Sequence, residues 1–172
     1  MLLSRKKKEG AEFINQLTSD IKILEQLISD KKLEDYNRIG AEQEFCLIDE
    51  NFRPSPINEL ILKKVKNHGF VTEIAKFNME LNIDPIDLKS NSLSKMESVL
   101  NEKMKIVTKV AKQYNSDIIL TGILPTVRKN DLKLNNITNN PRYLDLCNAI
   151  SKYRGQKYKI RIAGIDELIF QH

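Results

Sequence analysis

The sequence predicts an α+β fold, with a largely antiparallel sheet of about four or five strands packed by three or four helices. Three observations carry that prediction. Apolar residues recur at three- and four-residue steps from Glu12 to about Leu33, and again between Ser94 and Tyr114, as they do along amphipathic helices. Two stretches, 39–48 and 77–84, alternate in polarity with the period of two that belongs to strands. Helical and extended segments are interspersed without repeats or low-complexity linkers over 172 residues, a length that suits one domain with its own core.

In chain order, Ile14, Leu17, Ile21, Leu24, Leu27 and Ile28 form the stripe of the first helix. IGAEQEFCLI follows as a strand, with Ala41, Gln43, Phe45 and Leu47 on one face and Glu42, Glu44, Cys46 and Ile48 on the other. Asn51-Phe-Arg-Pro-Ser-Pro56 reads as a turn. A short helix from about Asn58 is expected to close at His68-Gly69, with the glycine as C-cap. FVTEIAKFNMELNIDP, 70–85, carries the next strand, with Phe77, Met79, Leu81 and Ile83 facing one way and Asn78, Glu80, Asn82 and Asp84 the other. Glu73 lies seven residues before Glu80, so only a bend or tight turn near Ala75-Lys76 lets the two share a site. Ser94-Lys-Met-Glu97 has capping-box spacing and is expected to open a long helix striped by Met96, Leu100, Val107, Val110, Ala111 and Tyr114. DIILTGILP, 117–125, reads as a buried strand and 126–139 as a polar loop. Asn140 should cap a helix with Pro141 at its first position, ended by Gly155, before a last strand over 157–164. DELIFQH then finishes the chain on apolar residues without a closing helix, so the expected domain is the N-terminal part of something longer.

Composition narrows the classes. A chain 41% hydrophobic and 30% charged folds rather than staying disordered. The net charge of +5 comes from scattered lysines, with one dense run at Arg5–Lys8. With only 6% aromatics and no Trp, nucleic-acid binding is not expected. No run reaches the ~20 apolar residues of a membrane span, and the start is not a secretory signal, so a cytoplasmic protein is expected. Cys46 and Cys147 sit in apolar patterns far apart and read as free thiols.

The chemistry concentrates in carboxylates. An isolated Glu-x-Glu on a strand most often lines a solvated sheet face. Here Glu42 and Glu44 lie inside an apolar strand, and a second strand repeats the theme as Asn78-x-Glu80-x-Asn82. Crowded carboxylates oppose one another's ionisation, and a hard divalent cation with a preference for oxygen removes that penalty. No phosphate-binding glycine loop accompanies them. His68 and His172 are the only histidines, which disfavours a zinc site. Among the arginines, Arg142 is the best anion-binding candidate, because it follows Pro141 at a helix N-terminus.

IGAEQEFCLID, TEIAKFNMELNIDP, LTGILPTVRKNDL, NITNNPRYLDL and IRIAGIDEL, in that order, resemble the second type of glutamate–cysteine ligase. This is the carboxylate–amine ligase group of the glutamine-synthetase superfamily. The likeness runs from about Arg38 onward. The expected organisation is an N-terminal helix, 1–37, then the N-terminal portion of a ligase-like catalytic domain, 38–172. The resemblance implies a funnel-like antiparallel sheet whose inner face holds Mg²⁺ or Mn²⁺ against the phosphates of ATP. It also implies an ATP-dependent joining of the glutamate γ-carboxylate to cysteine or another amine through an acyl phosphate, as in glutathione biosynthesis. By motif, Glu42, Glu44, Glu73 and Glu80 match the metal-binding carboxylates. Asn82 orients Glu80 or touches substrate, and Arg142 falls in a substrate-contacting stretch. The family runs far beyond the length of this chain, so the alternative is a catalytically inactive metal- or nucleotide-binding or interaction module. An unfinished sheet edge also invites pairing between copies.

Overall fold

The computed structural model describes residues 2–33, 36–66, 68–154, 159–163 and 167–171. The chain divides into two units, Met1–Arg38 and Ile39–His172.

The first unit is dominated by α1, Leu2–Ser29. It starts well before Glu12, because the charged run ahead of the apolar stripe consists of straight-chain residues that favour helix. Lys31, at φ 53°, takes the left-handed conformation that stops the helix, and the Lys32 N–H closes the last turn on the Leu27 carbonyl at 2.9 Å. Among the described residues of this unit, the stripe from Ile14 to Ile28 has no second helix or strand to pack on and is exposed. Arg38 instead stacks its guanidinium 4.5 Å from the centre of the Tyr36 ring.

The second unit is built on a four-stranded antiparallel sheet in the order β2-β3-β1-β4. Its strands are β1 (Arg38–Asp49), β2 (Phe70–Thr72), β3 (Asn78–Asp87) and β4 (Ser116–Ile119). β2 pairs with β3 through Phe70–Leu81, Val71–Glu80 and Thr72–Met79. β4 pairs with the far end of β1 through Cys46–Ile119 to Asp49–Ser116. Between β1 and β3 the Leu47 N–H donates to the Phe77 carbonyl at 2.7 Å, while Gly40 lies against the Ile83 carbonyl. These two marks fix an antiparallel register that sets Glu44 beside Glu80.

Helices α2 (Asn58–Val65) and α3 (Ser92–Lys112) close the core. Phe45, Leu47, Phe70, Met79 and Leu81 point from the strands onto Ile61 and Val65 of α2 and Val107 and Ala111 of α3. Phe45 and Phe70 meet edge to face, with centroids 6.2 Å apart. Each such side chain contributes about 1.5–3 kcal/mol by leaving water. The opposite face of β1 is exposed through Glu44 and then buried at Cys46 and Ile48, which pack beneath Leu124. Cys46 and Cys147 are free thiols, as expected. A last helix, α4 (Pro141–Arg154), precedes a separate hairpin of β5 (Lys159–Ala163) and β6 (Glu167–Gln171). Among the described residues no helix is long and apolar enough to cross a membrane.

Several local expectations are corrected. α2 ends at Lys66, itself left-handed at φ 52°, and Gly69 serves the following strand instead. The long helix begins two residues early, at Ser92, with no side-chain cap. The buried Ser92 hydroxyl donates instead toward the carbonyls of Asp87 and Lys89, tying the helix start to the end of β3. β4 stops at Ile119 because no strand pairs beyond it, and Leu120 and Ile123 stand exposed rather than buried. Asn140 does cap α4, its Oδ1 accepting the Arg142 N–H at 3.0 Å. Gly155, expected to end α4, lies outside the described residues.

Candidate metal centre

Three of the four predicted carboxylates converge. One oxygen each from Glu44, Glu73 and Glu80 lies within 4.8 Å of the others. Glu44 comes from β1 and Glu80 from its neighbour β3, and the sheet register brings them together. Glu73 arrives by the route the sequence demanded: the chain leaves β2 after Thr72 and turns. The Asn78 N–H donates to the Ala75 carbonyl at 2.9 Å, and the Glu73 N–H to the Asn78 carbonyl at 3.3 Å. Glu42 shares the exposed face of β1 but sits about 7 Å further along it, and its carboxylate is not in the group. Asn82 donates from Nδ2 to Oε1 of Glu80 at 2.7 Å and so fixes that carboxylate's rotation. Arg142 is exposed in the first turn of α4 and likewise outside the cluster.

The electrostatics follow from the crowding. Partial burial pushes the Glu73 carboxyl above its ordinary range. The neighbouring charges of Glu80 and Glu44 and a shared hydrogen bond with Glu80 add to this, against a lowering hydrogen bond from the Ile74 N–H. Burial also raises the Tyr143 phenol, helped by Glu73 and opposed by Arg142, which brings the start of α4 within electrostatic reach of the cluster. The Cys46 thiol, one residue beyond Glu44, is raised by burial first and by Glu44 second.

The residues suit a hard divalent cation. All three donors are carboxylate oxygens with no nitrogen or sulfur among them, the set preferred by magnesium and manganese rather than zinc. Two ligands on one Mg²⁺ are at most ~4.2 Å apart, so a spacing of up to 4.8 Å closes by a small rotation of one side chain. On the same face of β3 as Glu80, Asn78 keeps a buried Oδ1 with no hydrogen-bond partner, a neutral oxygen donor still to be satisfied.

Sequence reasoning missed the residues that hold this arrangement. Asn58, at the start of α2, is fully buried. It donates from Nδ2 toward the carbonyls of Ala75 and Asn78, each at 3.2 Å, and toward the Thr138 hydroxyl at 2.9 Å. Thr138 in turn donates to the Glu73 carbonyl, and the Tyr143 hydroxyl donates to the Thr72 carbonyl at 3.1 Å. A polar residue opening a helix and a threonine in an Asn-rich loop carry no signal that they meet.

An uncharacterised protein of Archaeoglobus fulgidus is 35% identical over 105 residues, which covers 56% of this chain and 28% of that relative. The chain therefore spans little more than a quarter of the length of the relative it matches. No solved structure matches it. The model of glutamate–cysteine ligase family 2 matches residues 38–165, the whole of the sheet and its helices, and the chain belongs to that family.

Proposed function

We propose that this chain carries the metal- and phosphate-facing wall of an ATP-dependent carboxylate–amine ligase. The reaction is the joining of a glutamate γ-carboxylate to an amine, that of cysteine being the first candidate. Family membership supports the ligase class, and the convergence of Glu44, Glu73 and Glu80 on one sheet face is the observation that carries the reading. Glu44, Glu73 and Glu80 would hold Mg²⁺ or Mn²⁺, which supplies charge neutralisation for phosphoryl transfer from ATP.

The chain's own residues account for placement. Two of the carboxylates stand on paired strands, so their separation is set by backbone hydrogen bonds rather than by mobile loops. Asn82 engages Oε1 of Glu80 and so holds the orientation of that carboxylate. Arg142, in the first turn of α4, offers an exposed guanidinium to a substrate carboxylate or phosphate. In the reaction, a γ-carboxylate oxygen attacks the terminal phosphorus of ATP and ADP leaves. The amine then displaces phosphate to form the amide, losing a proton.

The test is ADP release by the protein in its full reading frame. It should require Mg²⁺, glutamate and an amine together, with cysteine tried first. Release with none of the amino-acid pairs would contradict the ligase reading, and metal binding without turnover would leave a binding module instead.

A further inference from the structure

Glu73 is the one carboxylate of the cluster that no strand carries, and yet the chain around it is gripped from outside the hairpin. The segment from Asn136 to Tyr143 answers the carbonyls of residues 72, 73 and 74 in succession. The Tyr143 hydroxyl takes Thr72, the Thr138 hydroxyl takes Glu73, and the Thr138 N–H takes Ile74 at 2.8 Å. The Lys76 N–H donates back to the Asn136 carbonyl at 2.8 Å, and Ala75 bridges Ile137 in antiparallel fashion. Beneath this, the Asn58 N–H donates to the Lys76 carbonyl at 2.9 Å, and its amide supports the Thr138 hydroxyl from the other side. Thr138 is itself only 4% exposed. Its hydroxyl is thus the joint between a fully buried amide and the backbone of a cluster carboxylate.

We infer that Thr138, backed by Asn58, is the positioning residue of Glu73, and that divalent-cation affinity at the carboxylate cluster depends on this clamp. The inference rests on the metal reading of that cluster. It goes beyond it by assigning the placement of the third ligand to a loop distant in sequence. A hydroxyl–carbonyl bond on the ligand's own peptide fixes where the carboxylate starts from. Losing it leaves the fold intact but the ligand spread over several positions. Linkage requires the converse: a cation that draws Glu73 into place must tighten the clamp.

The experiment is calorimetric titration of Mn²⁺ into the full chain and into Thr138→Val and Thr138→Ser, with a thermal midpoint of each variant in the absence of metal. Affinity should fall about tenfold in Thr138→Val and stay within about twofold of the parent in Thr138→Ser, which keeps the hydroxyl. Equal affinity in all three overturns the clamp while leaving the metal site standing. No binding by the parent chain overturns the metal reading and the clamp with it. Should Thr138→Val fail to fold, amide exchange of the parent decides. Mn²⁺ should slow exchange at the Thr138 and Lys76 N–H groups, and unchanged exchange there overturns the inference.

Discussion

Glu73 shows how a single residue can be unfavourable for the empty fold and useful to the site. Burial, then the charges of Glu80 and Glu44, raise its folded pKa above the unfolded value, so the folded state binds its proton more tightly. The resulting stability is fully present below the ordinary glutamate range and is lost as pH rises through the raised value. Metal-free protein should therefore lose stability across that window, and Glu73→Gln should remove the loss. Urea denaturation at a series of pH values in chelator checks this, and parallel curves for parent and variant would contradict it. The carboxylates themselves were legible in the sequence, because Glu44 and Glu80 occupy the polar positions of alternating strands. Asn58 and Thr138 were not, since their roles are hydrogen bonds between segments 80 residues apart.

At the scale of elements, the β2–β3 hairpin decides whether the cluster exists. Gly69 opens β2 at φ +90°, and a Cβ there would stand 2.3 Å from the Asn82 carbonyl, which is backbone and cannot swing aside. Gly69→Ala is expected to cost at least about 1–3 kcal/mol and to disturb β3 beside Glu80, lowering the urea midpoint. A midpoint within error of the parent would count against this pairing of β2 with β3. Hydrophobic periodicity located β1, β3 and α3, because each buries one face on the shared core. It misjudged ends. The long strand expected over 117–125 shrank to Ser116–Ile119, since apolar composition alone does not supply a pairing partner. The C-cap passed from Gly69 to Lys66, a lysine in a conformation that sequence rarely forecasts.

At the largest scale, within the second unit, α2 and α3 cover one face of the sheet, while the other is exposed at Glu42 and Glu44 and covered by Leu124 at Cys46 and Ile48. That division follows from two-sided alternation in β1 and β3, which the sequence displays directly. An open, acidic sheet face is costly alone and makes sense when it meets cations and phosphates. The most direct measurement is calorimetric titration of Mn²⁺ into the chain and into Glu44→Gln, Glu73→Gln, Glu80→Gln and Glu42→Gln. Saturable binding by the parent is expected, weakened at least about tenfold by each of the first three changes and little altered by the last. Absence of saturable binding, or equal affinity across all five proteins, would contradict it.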